Sequence, residues 1–183
     1  MTARWVVDDV QPERDLHITW KPISLLFKNE PPEDSDYFGP VNFTHKLLRV
    51  MESVRAAADT PEAGNDGVFK LYWEAGSRIH HDGNRDFTAT ELLEAVGMDT
   101  SHADAFDDEK WDTIMRSELD AGLALVCQAV GTSILAIERS DAKQAGHFDP
   151  VINKVPPNRL FNQSDDADQP PTALPSCPTT YTQ

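Results

Sequence analysis

LHITWKPI, residues 16–23, alternates apolar and polar side chains through Leu16, Ile18 and Trp20. That is the period of a strand with one buried face. A strand needs backbone partners, and the next β-type run is far away, SILAIE at residues 133–138. Residues 147–151 read as its return across the polar stretch 139–146, making a hairpin. A hairpin alone closes no core. Residues 16–23 are therefore expected to pair with it across everything in between.

Between these runs the period changes to 3.6. Leu47, Leu48, Met51, Val54 and Ala58 share a stripe that Thr60-Pro61 and Gly64 are expected to close, and Val68, Leu71, Tyr72 and Ala75 form a second. Thr88 to Glu91 reads as a capping box that opens a short helix ended by Gly97. The longest helix is expected over 108–130, with Trp111, Met115, Leu119, Gly122, Val126 and Val130 on its apolar face and acids at its N-terminal end. Upstream, residues 3–10 have helical spacing until Pro12 ends them. Residues 29–36, NEPPEDSD, form an acidic, proline-rich connector. Pro156-Pro157 opens a last short helix. The expected fold class is α/β: a partial sheet from residues 1–35 and 131–162, an all-helical insertion over 36–130, and a disordered tail over 163–183 too poor in apolar surface to order.

Composition excludes several functions. With 31 acidic and 16 basic residues and a net charge of -15, the surface repels phosphate backbones and anionic membranes, so nucleic acid is excluded as a partner. No apolar run is long enough to span a bilayer and the N-terminus has no leader pattern, which points to the cytoplasm. The two cysteines, Cys127 and Cys177, stand fifty positions apart, so they supply neither a disulfide framework nor a metal clamp.

Five short motifs carry a resemblance: TARWV at residues 2–6, S-L-x-x-x-N-E at 24–30, GSRIHHDGN at 76–84, VGT at 130–132 and DPVINKVPP at 149–157. In this order and spacing they resemble the cytoplasmic DsbA-like thiol oxidoreductases, and most closely the mycothiol-dependent nitroreductases, over residues 2–161. The resemblance implies a thioredoxin-like, DsbA-type partial sheet with its first strand missing. It also implies that a C-P-x-[CA]-W segment at the start of the first helix belongs just upstream of TARWV. There a helix N-terminus lowers the thiol pKa. The chain as given is accordingly expected to lack the nucleophile, and no catalytic residue is assigned. In relatives VGT is followed by a cis-proline. Here Ser133 stands in that place, where a cis bond would cost about 2.5–4 kcal/mol, so a trans bond is expected.

What the resemblance implies for the site is a contact surface for a low-molecular-weight thiol, mycothiol, or a small-molecule substrate, formed by Asn29, Tyr37, Thr132 and Ser133. Three function classes remain open: a mycothiol-dependent oxidoreductase silent as given, a non-catalytic ligand- or partner-binding protein, and an isomerase of the kappa glutathione transferase type. An uncovered sheet edge predicts a homodimer, or aggregation. No metal is expected. His80 and His81 are neighbours on a helix and point about 100° apart, so they read as a helix end closed by Gly83 or Asn84. Arg78 reads as a cleft residue or as the partner of a surface acid. Cys127 reads as a packed thiol, and Trp5, Trp20, Trp73 and Trp111 read as core.

Overall fold

Backbone groups of Leu16, Ile18 and Trp20 do find partners, but these are side chains. In the computed structural model the stretch holds no regular secondary structure, and among the described residues no strand pairs with it. Asn65 donates from Nδ2 to the Ile18 carbonyl at 2.8 Å and accepts the Trp20 amide on Oδ1 at 2.7 Å. One carboxamide thus fills both roles that a paired strand fills at residues i and i+2. Arg55 donates to the Trp20 carbonyl. The alternation is real in part: the Trp20 ring stacks on Phe69 at 4.9 Å and Ile18 is half-buried, while Leu16 is exposed.

The expected α/β fold with its thioredoxin-like partial sheet is therefore corrected. Among the described residues the sheet has two strands, β1 (Ile134–Glu138) and β2 (Gln144–Phe148), antiparallel with Ala136 opposite Gly146. Residues 16–23 form no strand of it, and the rest of the regular structure among the described residues is helical. The case for a homodimer through the open edge of that larger sheet goes with it. Alternation reports that an extended segment buries one face; it does not report which groups satisfy its backbone.

The structure describes residues 6–13, 16–126, 134–138 and 144–148. The chain divides into two units, Met1–Leu16 with Leu123–Gln183, and His17–Gly122. In the first unit lie a π-type turn, Val6–Val10, a 3-10 turn, Gln11–Glu13, and the β1–β2 hairpin. The expected helix after Pro156 and the expected tail fall outside the described residues.

The second unit is built from α1 (Leu25–Asn29), α2 (Phe38–Ala57), α3 (Pro61–His80) and α4 (Ala89–Ala95). Two 3-10 segments, Thr100–Asp107 and Glu109–Trp111, then lead into α5 (Asp112–Leu125). Leu47, Val50, Met51 and Val54 of α2 pack on Val68, Leu71 and Ala75 of α3 and on Leu92 and Leu93 of α4. Of the stripes read from the sequence, Leu47, Met51, Val54, Val68, Leu71 and Ala75 lie in this core and Leu48 packs against it, while Tyr72 is exposed. Thr88 and Glu91 form the capping box, each side chain meeting the other's backbone amide.

Several boundaries differ from expectation: β2 runs Gln144–Phe148 where 147–151 is expected, and two helix starts differ. Thr60-Pro61 opens α3, with Thr60 Oγ1 accepting the Ala63 amide, and Gly64 lies inside that helix. Gly64 is there because α2 comes close: a Cβ on it would sit 2.9 Å from the Arg55 carbonyl oxygen. Likewise the long helix begins at Asp112, because Asp99 and Asp108 cap separate 3-10 turns before it.

Candidate functional site

Helix α1 is absent from the sequence reading, and it organises the site. Ser24 is its N-cap: Oγ accepts the Phe27 amide at 3.1 Å. The same oxygen lies 2.9 Å from His45 Nδ1 on α2, and His45 Nε2 lies 3.3 Å from Asp112 Oδ1 at the start of α5. Arg49, one turn beyond His45, clasps Asp112 with Nε on Oδ1 at 2.7 Å and Nη2 on Oδ2 at 2.8 Å. Asp112 accepts only, so the imidazole proton belongs on Nε2, and Nδ1 then accepts the Ser24 hydroxyl proton. Every polar atom of the line is satisfied.

Serine, histidine and aspartate in sequence resemble a nucleophilic relay, but burial decides otherwise. Ser24 is 0% exposed and His45 2%. No substrate reaches that hydroxyl, which is already committed as a cap. Burial pushes the His45 pKa below its ordinary 6.5, against the raising pull of Asp112 and with a further lowering by Arg49, so the ring is neutral. The line is a buried strut joining α1, α2 and α5.

Near the strut, two of the residues expected as thiol contacts meet, one at the end of α1 and one at the N-cap of α2. Asn29 ends the helix and donates from Nδ2 to Tyr37 Oη at 3.1 Å; both side chains are exposed. Between them Glu30 holds a left-handed backbone, φ 42°, just before Pro31-Pro32. A non-glycine residue there is strained by about 1–2 kcal/mol. Thr132 and Ser133 lie outside the described residues, as do Trp5, Cys127 and Cys177.

On another side of the strut a depression of about 520 Å³ is lined by Phe27, Asp112, Thr113, Arg116, Ser117 and Asp120. The Phe27 ring meets His45 edge-on at 4.5 Å and carries the Arg116 guanidinium over its face at 4.1 Å. A smaller depression, about 320 Å³, runs beside Phe69 and Trp73 on α3.

The other residues singled out fall in plainer places. His80 ends α3 and His81 caps it, both exposed; among the described residues no three His, Cys, Asp or Glu side chains gather. Arg78 pairs with Glu74 at 2.8 Å and lies over the Phe87 ring. Trp20 packs on the core, but Trp73 is exposed and Trp111 only half-buried. Among the described residues no helix is long and apolar enough to cross a membrane.

Sequence reasoning missed Ser24 as a cap, along with His45, Arg49 and Asp112. Two signals were available. Ser24 precedes the apolar run LLF, as an N-cap does. His45, Arg49 and Glu52 recur at helical spacing on α2 and are all buried, a polar stripe beside the apolar one. Asp112, more than sixty residues on, carries no such mark.

An extended segment, a capped short helix and a buried strut thus hold Asn29 and Tyr37 together on the surface of a helical unit, in a sequence with the five motifs. The chain matches the Rv2466c-like family model, described as mycothiol-dependent nitroreductase Rv2466c, over residues 1–166, and it belongs to that family.

Proposed function

We propose that the protein is a mycothiol-linked oxidoreductase whose thiol partner lies along the α1 surface, with Asn29 and Tyr37 as its contacts there. The observation that carries this reading is the Asn29–Tyr37 hydrogen bond. It places an amide and a phenol side by side, both open to solvent and both able to pair with the amide groups of a small thiol. Mycothiol supplies a reducing thiol when bound; Asn29 and Tyr37 bind and orient it. The Ser24–His45–Asp112 strut fixes α1, so these donors are held before the ligand arrives, which lowers the ordering entropy of binding.

Calorimetry on the full chain tests this. Mycothiol is expected to bind, glutathione more weakly, and Asn29→Ala and Tyr37→Phe are each expected to weaken mycothiol about fivefold, the loss of one neutral hydrogen bond. No heat with mycothiol overturns the reading.

A second reading, binding without turnover, is favoured by Ser133, which stands where the resemblance expects proline. Mycothiol-dependent reduction of a nitroaromatic substrate by the full chain would rule it out. Binding with no reduction would rule out catalysis instead.

A further inference from the structure

We propose that Asp82–Gly83, in the GSRIHHDGN motif, is a site of spontaneous modification at which the main chain isomerises to isoaspartate. The Gly83 amide nitrogen bonds to the side-chain carboxyl carbon of Asp82, and one carboxyl oxygen leaves as water with the amide proton and a proton from solvent. Water then opens the cyclic imide at either carbonyl. Opening at the backbone carbonyl leaves the chain running through the side-chain carbon, longer by one carbon, with a free carboxylate where the peptide bond stood. One water leaves and one enters, so nothing is oxidised or reduced.

The sequence holds two Asp–Gly pairs, Asp66–Gly67 and Asp82–Gly83, and the fold treats them differently. Glycine makes such a pair reactive because the attacking nitrogen has no Cβ beside it. Asp66–Gly67 lies inside α3, where a helical backbone fixes both residues and the Gly67 amide is spent on the helix ladder. Lys70 pairs with the Asp66 carboxylate at 2.7 Å, and Gly67 is buried, an added Cβ standing 2.8 Å from Val54 Cγ1. Asp82–Gly83 instead follows the last turn of α3, and both residues are exposed. The amides on either side of Gly83 are committed, Asp82 to the Ser77 carbonyl at 3.1 Å and Asn84 to the Arg78 carbonyl at 2.8 Å. That of Gly83 donates to no group among the described residues, and the Asp82 carboxylate joins no ion pair there. Gly83 holds φ 65°, with nothing within 4 Å of an added Cβ, so no neighbour crowds the attack. Nucleophile and electrophile are thus both uncommitted in the folded chain at one pair and both locked at the other.

This site is independent of the thiol reading, and isotope labelling tests it. The full chain is incubated at neutral pH and physiological temperature in water enriched in the heavy oxygen isotope, then digested with trypsin in ordinary water. Each ring opening leaves one heavy oxygen on the residue. Cleavage after Arg55, Lys70, Arg78 and Arg85 puts the two pairs in separate peptides, residues 56–70 and 79–85, and fragmentation places the label within each. Label is expected at Asp82 at least about tenfold faster than at Asp66, since an opening free energy of about 1.4 kcal/mol for α3 already lowers the reactive population that much. Peptide 79–85 is also expected to accept a methyl group from an isoaspartate-specific carboxyl methyltransferase, which reads the new carboxylate. Asp82→Glu, whose side chain would have to close a larger ring, is expected to lose both signals. In urea, with α3 unfolded, the two pairs are expected to label at similar rates. No label at Asp82, a rate there no higher than at Asp66, label that survives at this position in Asp82→Glu, or a lead of Asp82 that persists in urea overturns the inference.

Discussion

Replacing Asn65 by alanine tests the feature that makes this unit helical where a sheet was expected. The side chain makes two hydrogen bonds to the extended stretch, 2.7 Å from the Trp20 amide and 2.8 Å to the Ile18 carbonyl, in a half-buried setting. Each is worth about 0.5–1.5 kcal/mol net. Alanine returns about 0.5 kcal/mol through its better helix propensity. The expected net loss is about 1.5 kcal/mol, or a fall of about 0.7 M in the urea midpoint at a slope near 2 kcal/mol/M. Tryptophan fluorescence follows the transition, since Trp20 stacks on Phe69 beside the substituted residue. Amide exchange gives a second readout: the Trp20 N–H is expected to lose protection in Asn65→Ala. If the midpoint moves by less than about 0.3 M and that amide stays protected, some other backbone partner holds the stretch and the account given for it is wrong.

Three further outcomes are expected. Gly64→Ala forces a Cβ within 2.9 Å of the Arg55 carbonyl and should destabilise α2 against α3 by about 1–3 kcal/mol less a propensity gain near 1, whereas Gly76→Ala, with nothing within 4 Å, should stabilise; thermal melts compare them. His45 is held below its ordinary pKa of 6.5, so the unfolded chain binds the extra proton first and stability should fall as pH drops below about 6.5. Buried Glu52, whose pKa is raised by desolvation, gives the opposite slope nearer its ordinary 4.5, so urea melts of His45→Gln should lose the former slope and keep the latter. Thr88→Ala removes half of the capping box and should cost about 1 kcal/mol, seen as earlier exchange of the α4 amides.

The sequence by itself determined the family, through its motifs, and most of the helical core: Leu47, Val54, Val68, Leu71 and the Thr88–Glu91 box all follow from local period and local capping chemistry. It also singled out Asn29 and Tyr37 as candidate contacts, and the fold brings them within hydrogen-bond distance. Only the tertiary structure decided what answers the backbone of residues 16–23. The carboxamide of Asn65 does so from 45 residues away, and a period-2 pattern looks the same whether a strand or a side chain does the pairing. The strut from Ser24 through His45 to Asp112 was likewise beyond local reading. Its members come from three helices, and each looks ordinary until folding removes water from the hydrogen bonds between them.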